Sequence, residues 1–311
     1  MAQLEHTPSE LRDAIADRLS PIDLLMLSRS NRQLRDQLSP ALQQRAQRAA
    51  RVQAICDRLT RPGDANPLAA LVNPGVIQSL APNFDCLTEV QQEYLVLYAE
   101  GLADDDRASA VRALGTGVAE LAPELQRRLI VLIEGLDHAS DRALALRALG
   151  AEMAGLAPEL QQRLIVLVEG LDGAWSPALG AWALGGVVAG LAPELQQRLI
   201  VLVEGLDDAV RAMAIWPLAR AVAGLAPELQ QRLVVLAEGL DDPEDRARVL
   251  RNLGAGVAGL APELQRRLIV LAEGLDGSEH RAMALEGLVA GMAELPPELQ
   301  RRLIVLAEKP L

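Results

Sequence analysis

Three tryptophans, two tyrosines and one phenylalanine are the only aromatic residues among 311, or 2% of the chain. That scarcity excludes any fold that sets aromatic rings at regular positions. Two cysteines, Cys56 and Cys86, are too few for a disulfide framework; they suit a reducing compartment and read as small core residues. The three histidines, His6, His138 and His280, lie in different segments without metal-ligand spacing, so no metal site is expected. No run of eighteen apolar residues occurs, and the stretch LIVLVEGL is broken by Glu169, which argues against a membrane span. The opening MAQLEHTPSELRD lacks a basic stretch followed by an apolar core, so no cleaved signal peptide is expected.

Positive charge is short as well. The net charge is −12, and residues 1–60 hold nine arginines against seven acids while the remainder holds 21 basic residues against 35 acids. An acidic array is a poor match for phosphates, and nucleic-acid binding is disfavoured. Neither GxxxxGK[ST] nor GxSxG occurs, and GAGVAG at 254–259 meets the GxGxxG pattern without a preceding strand. With no convergent set of polar groups, no enzyme, no catalytic residue and no cofactor are expected. Lysine is reduced to Lys309 against 29 arginines. Two explanations stay open for that bias: a GC-rich genome, or an advantage to a protein that offers no ubiquitin acceptor.

What the chain has in quantity is repetition. LAPELQQRLIVLVEGLD stands at 156–172 and again at 191–207, and its proline recurs at Pro123, Pro158, Pro193, Pro227, Pro262 and Pro297. The spacings of 35, 35, 34, 35 and 35 residues signal a solenoid. A diverged copy without the proline begins at Leu87. Leu160, Leu164, Leu167 and Leu171 mark one stripe of a helix, with Pro158 at its first position and Glu159 near the positive end of its dipole. Gly170 is expected to close this helix A with a left-handed cap. The intervening stretch predicts a helix B from about Ser140 to Ala154, capped by Gly155. Gly115, Gly150, Gly185 and Gly254 stand eight residues before the proline, where close helix approach would compensate the loss of about 1 kcal/mol of helix propensity.

Leucine- and alanine-rich helix pairs of this length resemble short HEAT or armadillo repeats over roughly residues 85–311. The resemblance implies an all-α, right-handed α-solenoid with helix B on the concave side. It also implies an Asp–Arg ladder between repeats, for which Asp137 with Arg142, Asp241 with Arg246 and Asp276 with Arg281 qualify, and Pro177 interrupts it. Helix A is nearly constant between copies and helix B is not. Eleven residues before each proline stand Arg112, Arg147, Trp182, Trp216, Arg251 and Glu286, and fourteen before stand Ser109, Leu144, Leu179, Met213, Arg248 and Met283. Arginine and tryptophan dominate interface hot spots, so the first set is expected to form a target-binding ridge. The competing reading has the tryptophans filling gaps left by Gly180, Gly186 and a kink at Pro217. After Leu311 no helix B covers the last leucines, which predicts a partner or self-association there.

Residues 1–60 are different. Thr7-Pro8, Ser20-Pro21 and Ser39-Pro40 each pair an N-cap with a helix-starting proline, and Leu11, Ile15, Leu19, Leu24, Leu25, Leu27 and Leu34 would form a three-helix cluster. RPGDANP at 61–67 reads as a linker. The expected organisation is a domain over 1–60, a linker and degenerate first repeat over 61–84, and the array over 85–311.

TPSELRDAIADRLSPIDLLMLSRSNRQLRDQL at 7–38 resembles an F-box, although Thr7 replaces the usual leucine and Ser30-Asn31 the usual Val-Cys pair. The resemblance implies docking on the Skp adaptor of a cullin ubiquitin ligase through Pro8, Leu11, Ile15, Leu19, Leu24 and Leu25, while the repeats hold a target. Joined to a composition rich in Ala, Leu and Arg, it points to the F-box effectors that plant-associated bacteria inject by type III secretion, acting in the host cytoplasm or nucleus. The alternative is a HEAT-like protein-binding scaffold with no ubiquitin role, its first helices serving only as the cap a solenoid needs.

Overall fold

Proline starts most of the described helices. The computed structural model describes residues 19–30, 39–59, 73–173 and 175–308, and no strand occurs among the described residues. Two compact units divide the chain, Met1–Leu136 and Asp137–Leu311.

The first unit opens with α1 (Pro21–Ser30) and α2 (Pro40–Leu59). Both expected serine caps are in place: the Asp23 amide donates to Ser20 Oγ at 3.2 Å and the Leu42 amide to Ser39 Oγ at 3.5 Å. Thr7-Pro8, Leu11, Ile15, Leu34 and the stretch 61–67 lie outside the described residues. A short α3 (Pro74–Leu80) runs into a 3-10 turn (Ala81–Cys86), followed by α4 (Glu89–Glu100), α5 (Asp104–Gly115) and α6 (Pro123–Glu134). The long α2 is packed on this first helix pair. Gln53, buried, donates through Nε2 to the Cys86 carbonyl at 2.8 Å and to Gln91 Oε1 at 2.9 Å, and Arg48 pairs with Asp85.

The second unit consists of alternating helices: α7 (Ala139–Leu149), α8 (Pro158–Glu169), α9 (Trp175–Gly185), α10 (Pro193–Glu204), α11 (Asp208–Arg220), α12 (Pro227–Glu238), α13 (Pro243–Ala255), α14 (Pro262–Glu273), α15 (Ser278–Ala290) and α16 (Pro297–Glu308). The even-numbered members are helix A and the odd-numbered members helix B; neighbouring B helices pack on one another, and from α9 onward each also packs on its flanking A helices. Stacked helix pairs form an all-α solenoid.

Three expectations need correction. Helix B is shorter than predicted: α7 stops at Leu149, and a 3-10 turn (Gly150–Gly155) carries the chain to the next proline. Such a tightened turn follows every B helix, because its carbonyls must be satisfied before the chain reverses. Gly170 is not left-handed; its φ of −87° and ψ of 4° place it in a bridging conformation, and its N–H donates to the Val166 carbonyl at 3.0 Å. Only Gly173 and Gly277 have positive φ among the described residues. Within helix A, finally, Leu160, Leu164, Ile165, Val168 and Leu171 are buried while Leu167 is half-buried, so the stripe is rotated toward Ile165 and Val168.

The glycines eight residues before the proline do mark close approach. A Cβ on Gly150 would lie 2.3 Å from the Ala183 carbonyl oxygen, and one on Gly254 would lie 2.6 Å from the Leu288 nitrogen. At Gly287, on the neighbouring helix B, the distance to the Arg251 carbonyl oxygen falls to 1.9 Å. No side chain fits there, and the helix B stack depends on the absence.

Five of the A helices also bury one polar residue at the same position. Gln126, Gln161, Gln196, Gln230 and Gln265 are all below 8% exposed, and each donates through Nε2 to the carbonyl of the leucine five residues earlier at 2.9 to 3.0 Å. The bond satisfies a carbonyl that the 3-10 turn leaves over, which explains why a polar residue is repeated inside an apolar stripe.

Candidate interaction surface

Five pairs of the repeated glutamates and arginines of helix A tie successive copies together. In the first unit Arg128 grips Glu100 of the preceding copy through two bonds of 2.8 and 2.6 Å. In the second unit Arg198 pairs with Glu169, Arg232 with Glu204, Arg267 with Glu238, and Arg302 with Glu273 at 2.7 and 2.6 Å. Hydrogen bonding to the carboxylate raises the pKa of Arg128, Arg198, Arg232 and Arg302 above the ordinary arginine value. This Arg–Glu ladder replaces the Asp–Arg ladder expected from sequence. Arg246 instead donates to the Leu240 carbonyl of its own repeat at 2.9 Å, Arg107 to the Leu102 carbonyl at 2.8 Å and Arg142 to the Asp137 carbonyl at 3.3 Å. An arginine at the start of helix B thus staples the turn behind it, and the step between repeats is left to helix A.

The ladder residues of helix A are therefore committed to the scaffold. Helix B carries a different set. Trp182 on α9 and Trp216 on α11 are both half-buried, and each is covered by an arginine from the next B helix outward. The Arg147 guanidinium of α7 lies 4.7 Å from the centre of the Trp182 ring, and that of Arg248 of α13 lies 5.5 Å from the Trp216 ring. Four successive B helices thereby present the order Arg, Trp, Trp, Arg. Cation–π contacts of this kind contribute about 0.5–1 kcal/mol at exposed sites and hold the ring planes in place.

Between the rings runs a groove of about 620 Å³ lined by Arg147, Ala151, Trp182, Trp216, Arg220 and Asn252, with Gly150, Ala183, Gly186, Val187 and Pro217 as its floor. Its volume is in the range of ligand clefts. The tryptophans do not fill glycine gaps. Gly180 is closed off by Val168 and Leu171, Gly185 by the Pro217 ring, and nothing stands within 4 Å of the position a Cβ would take on Gly186. The Trp216 indole Nε1 is buried without an acceptor.

The structure distributes the ridge residues in three groups. Arg147, Trp182 and Trp216 line the one groove. Arg251 on α13 and Glu286 on α15 satisfy each other at 3.2 Å. Arg112, in the first unit, is half-buried and donates to Ser109 Oγ at 3.0 Å. Arg220 and Asn252 lie outside the ridge expected from sequence, which is drawn from the positions eleven and fourteen before the proline. Arg220 stands seven before it and Asn252 ten before it, and the same comparison at those offsets singles both out.

Of the residues implied in adaptor docking, Pro8, Leu11 and Ile15 lie outside the described residues. Leu24 is fully buried and Leu25 is 5% exposed, and Leu24 forms a small core with Leu42 and Ala46 against which Leu19 packs. The Leu19 carbonyl accepts from Arg45 at 2.8 Å. Cys56 and Cys86 are buried, and desolvation pushes their thiols up to about 11 and about 12, which keeps both protonated and unreactive. His280 Nδ1 lies 2.8 Å from the Asp276 carbonyl in a turn. Among the described residues no group of His, Cys, Asp and Glu could hold a metal ion, and no helix is long and apolar enough to cross a membrane.

Compared with known proteins, the chain matches no protein-family model and no curated sequence, so the reading of this surface rests on its own geometry.

Proposed function

We propose that this protein is a HEAT-like interaction scaffold that captures a protein partner on the helix B surface of its second unit. The observation that carries the reading is the row Arg147, Trp182, Trp216 and Arg248, the first three of which line an open groove. In an array whose A helices are near-identical, Trp182 and Trp216 stand at the same position of successive B helices, partly exposed and held by stacked arginines. Buried aromatic and arginine anchors are what an interface hot spot is made of. Alanine at both Trp182 and Trp216 should weaken a partner held there by about 2 kcal/mol or more per residue. Affinity purification with the wild-type and doubly substituted chains as bait measures this, and a partner set unchanged by the substitution defeats the reading.

A second reading adds an adaptor role. The F-box resemblance of residues 7–38 favours it, and within that stretch SPIDLL supplies the capped start of α1. In this reading the N-terminal helices bind a host Skp adaptor, the repeats recruit a target to a cullin ligase, and the protein acts after secretion into a host cell. The packing of α2 on Cys86 and Gln91 equally suits a plain cap for the first repeat. Purified Skp adaptor separates the two: retention by the wild type that is lost on Pro8→Ala supports the adaptor role. Absence of binding leaves the scaffold with a cap.

A further inference from the structure

The groove described above has a chemical bias, and the following inference rests on the reading of it as an interaction site. We propose that it receives an extended acidic segment of a partner protein. The segment's carboxylates would lie on Arg147 and Arg220 and an apolar side chain between the two tryptophan rings.

Charge is the first argument. Arg147 and Arg220 are the ionisable residues lining the groove, and both are basic, in a chain whose net charge is −12. Among the described residues neither guanidinium is paired with a carboxylate. The contrast with helix A is direct, because there each ladder arginine of the second unit such as Arg232 is matched to its own glutamate. Two unmatched guanidiniums beside a cleft present planar donor forks that fit carboxylates in pairs.

Position within the repeat is the second. Seven residues before the proline the other copies carry Thr116, Ala151, Gly186, Ala255 and Ala290, all small, and Arg220 alone breaks the series. Ten residues before it they carry Ala113, Ala148, Ala183, Pro217 and Gly287, and Asn252 alone adds an amide. Scaffold packing accommodates a small residue at both places in every other copy, so packing does not explain the two exceptions. Both exceptions line the same groove as the two tryptophans. A nucleic-acid strand is the other polyanion to consider, but two cations on an acidic array would neutralise too few phosphates to hold one.

The test uses the full-length protein immobilised against a random peptide library displayed on phage, with parallel selections on Arg220→Ala and on Trp182→Ala. Arg220→Ala restores the alanine that neighbouring copies carry at that place, so the variant keeps its fold, which circular dichroism verifies. Peptides enriched by the wild type are expected to carry several Asp or Glu residues around an apolar one. A synthetic peptide of that sequence should bind the wild type about tenfold more tightly than Arg220→Ala or Arg147→Ala. Its affinity should also fall as salt is raised from about 0.05 to about 0.5 M. Enriched peptides that are neutral or basic, or that bind Arg220→Ala equally well, overturn the acidic-segment inference and leave the interaction reading standing. If no enriched peptide depends on Trp182, both fall. Equal competition by oligo(dT) overturns the inference in favour of a nucleic acid.

Discussion

Helix A and helix B come from the same 35-residue unit, yet the chain treats them in opposite ways. Helix A is copied almost unchanged, and its repeated buried and paired residues each have a structural use. Most of its leucines are buried, its glutamine closes the preceding turn, and its arginine and glutamate tie one copy to the next. Helix B keeps one buried leucine per copy (Leu149, Leu184, Leu218, Leu253 and Leu288) and its small residues at the contact between neighbours, and it varies at the partly or fully exposed positions eleven and fourteen before the proline. Repeating a side chain is what a periodic scaffold requires, and departing from the repeat is what a single binding site requires. The difference teaches that in such arrays the site is found where copies disagree on an exposed face.

The comparison can be broken or sharpened by substitution, with urea unfolding followed by circular dichroism as the measurement. The largest effect should come from the buried stripe of helix A: Leu233→Ala empties a fully buried site and should cost about 2–5 kcal/mol. On helix B the equivalent vulnerability is a missing side chain. Gly287→Ala puts a methyl group against the Arg251 carbonyl and should cost about 1–3 kcal/mol, whereas Gly186→Ala, with open space around it, should change stability by about 0.5 kcal/mol or less. Gln196→Ala leaves the Leu191 carbonyl without its side-chain donor and should cost about 1–3 kcal/mol, although no apolar packing is removed. Of the repeated contacts, the ladder contributes least. Arg232 and Glu204 are about one-third exposed, so Arg232→Ala should cost about 1 kcal/mol at most, and the loss should shrink as salt rises. An equal loss from Leu233→Ala and Arg232→Ala would show that the ladder and not the stripe carries the stack.

Legibility followed locality. Pro158 and the Glu169-Gly170 pair lie at the ends of the helix they delimit, and both ends were readable because a proline start and a glycine stop act within one turn. The conformation of Gly170 was not readable, since it depends on Leu171 being drawn into the core at 5% exposure rather than on the glycine's own freedom. Glu169 was visible as a repeated residue, but its partner Arg198 lies 29 positions away and only the offset between neighbouring A helices brings them together. Trp182 and Trp216 announced themselves by breaking the repeat. Arg220 broke it too and went unnoticed, because an arginine among many draws attention only once the groove beside it is seen.

By itself, then, the amino-acid order determined the period, the two helices of each unit and which of them varies, because helix starts, apolar stripes and repeats are properties of neighbouring residues. Tertiary structure alone decided that Arg147 would stack on Trp182 and Arg248 on Trp216, and that Arg220 and Asn252 would share their groove. Those residues sit on four different helices, and their meeting is set by how closely glycine and alanine let the B helices approach, a distance that no single helix encodes.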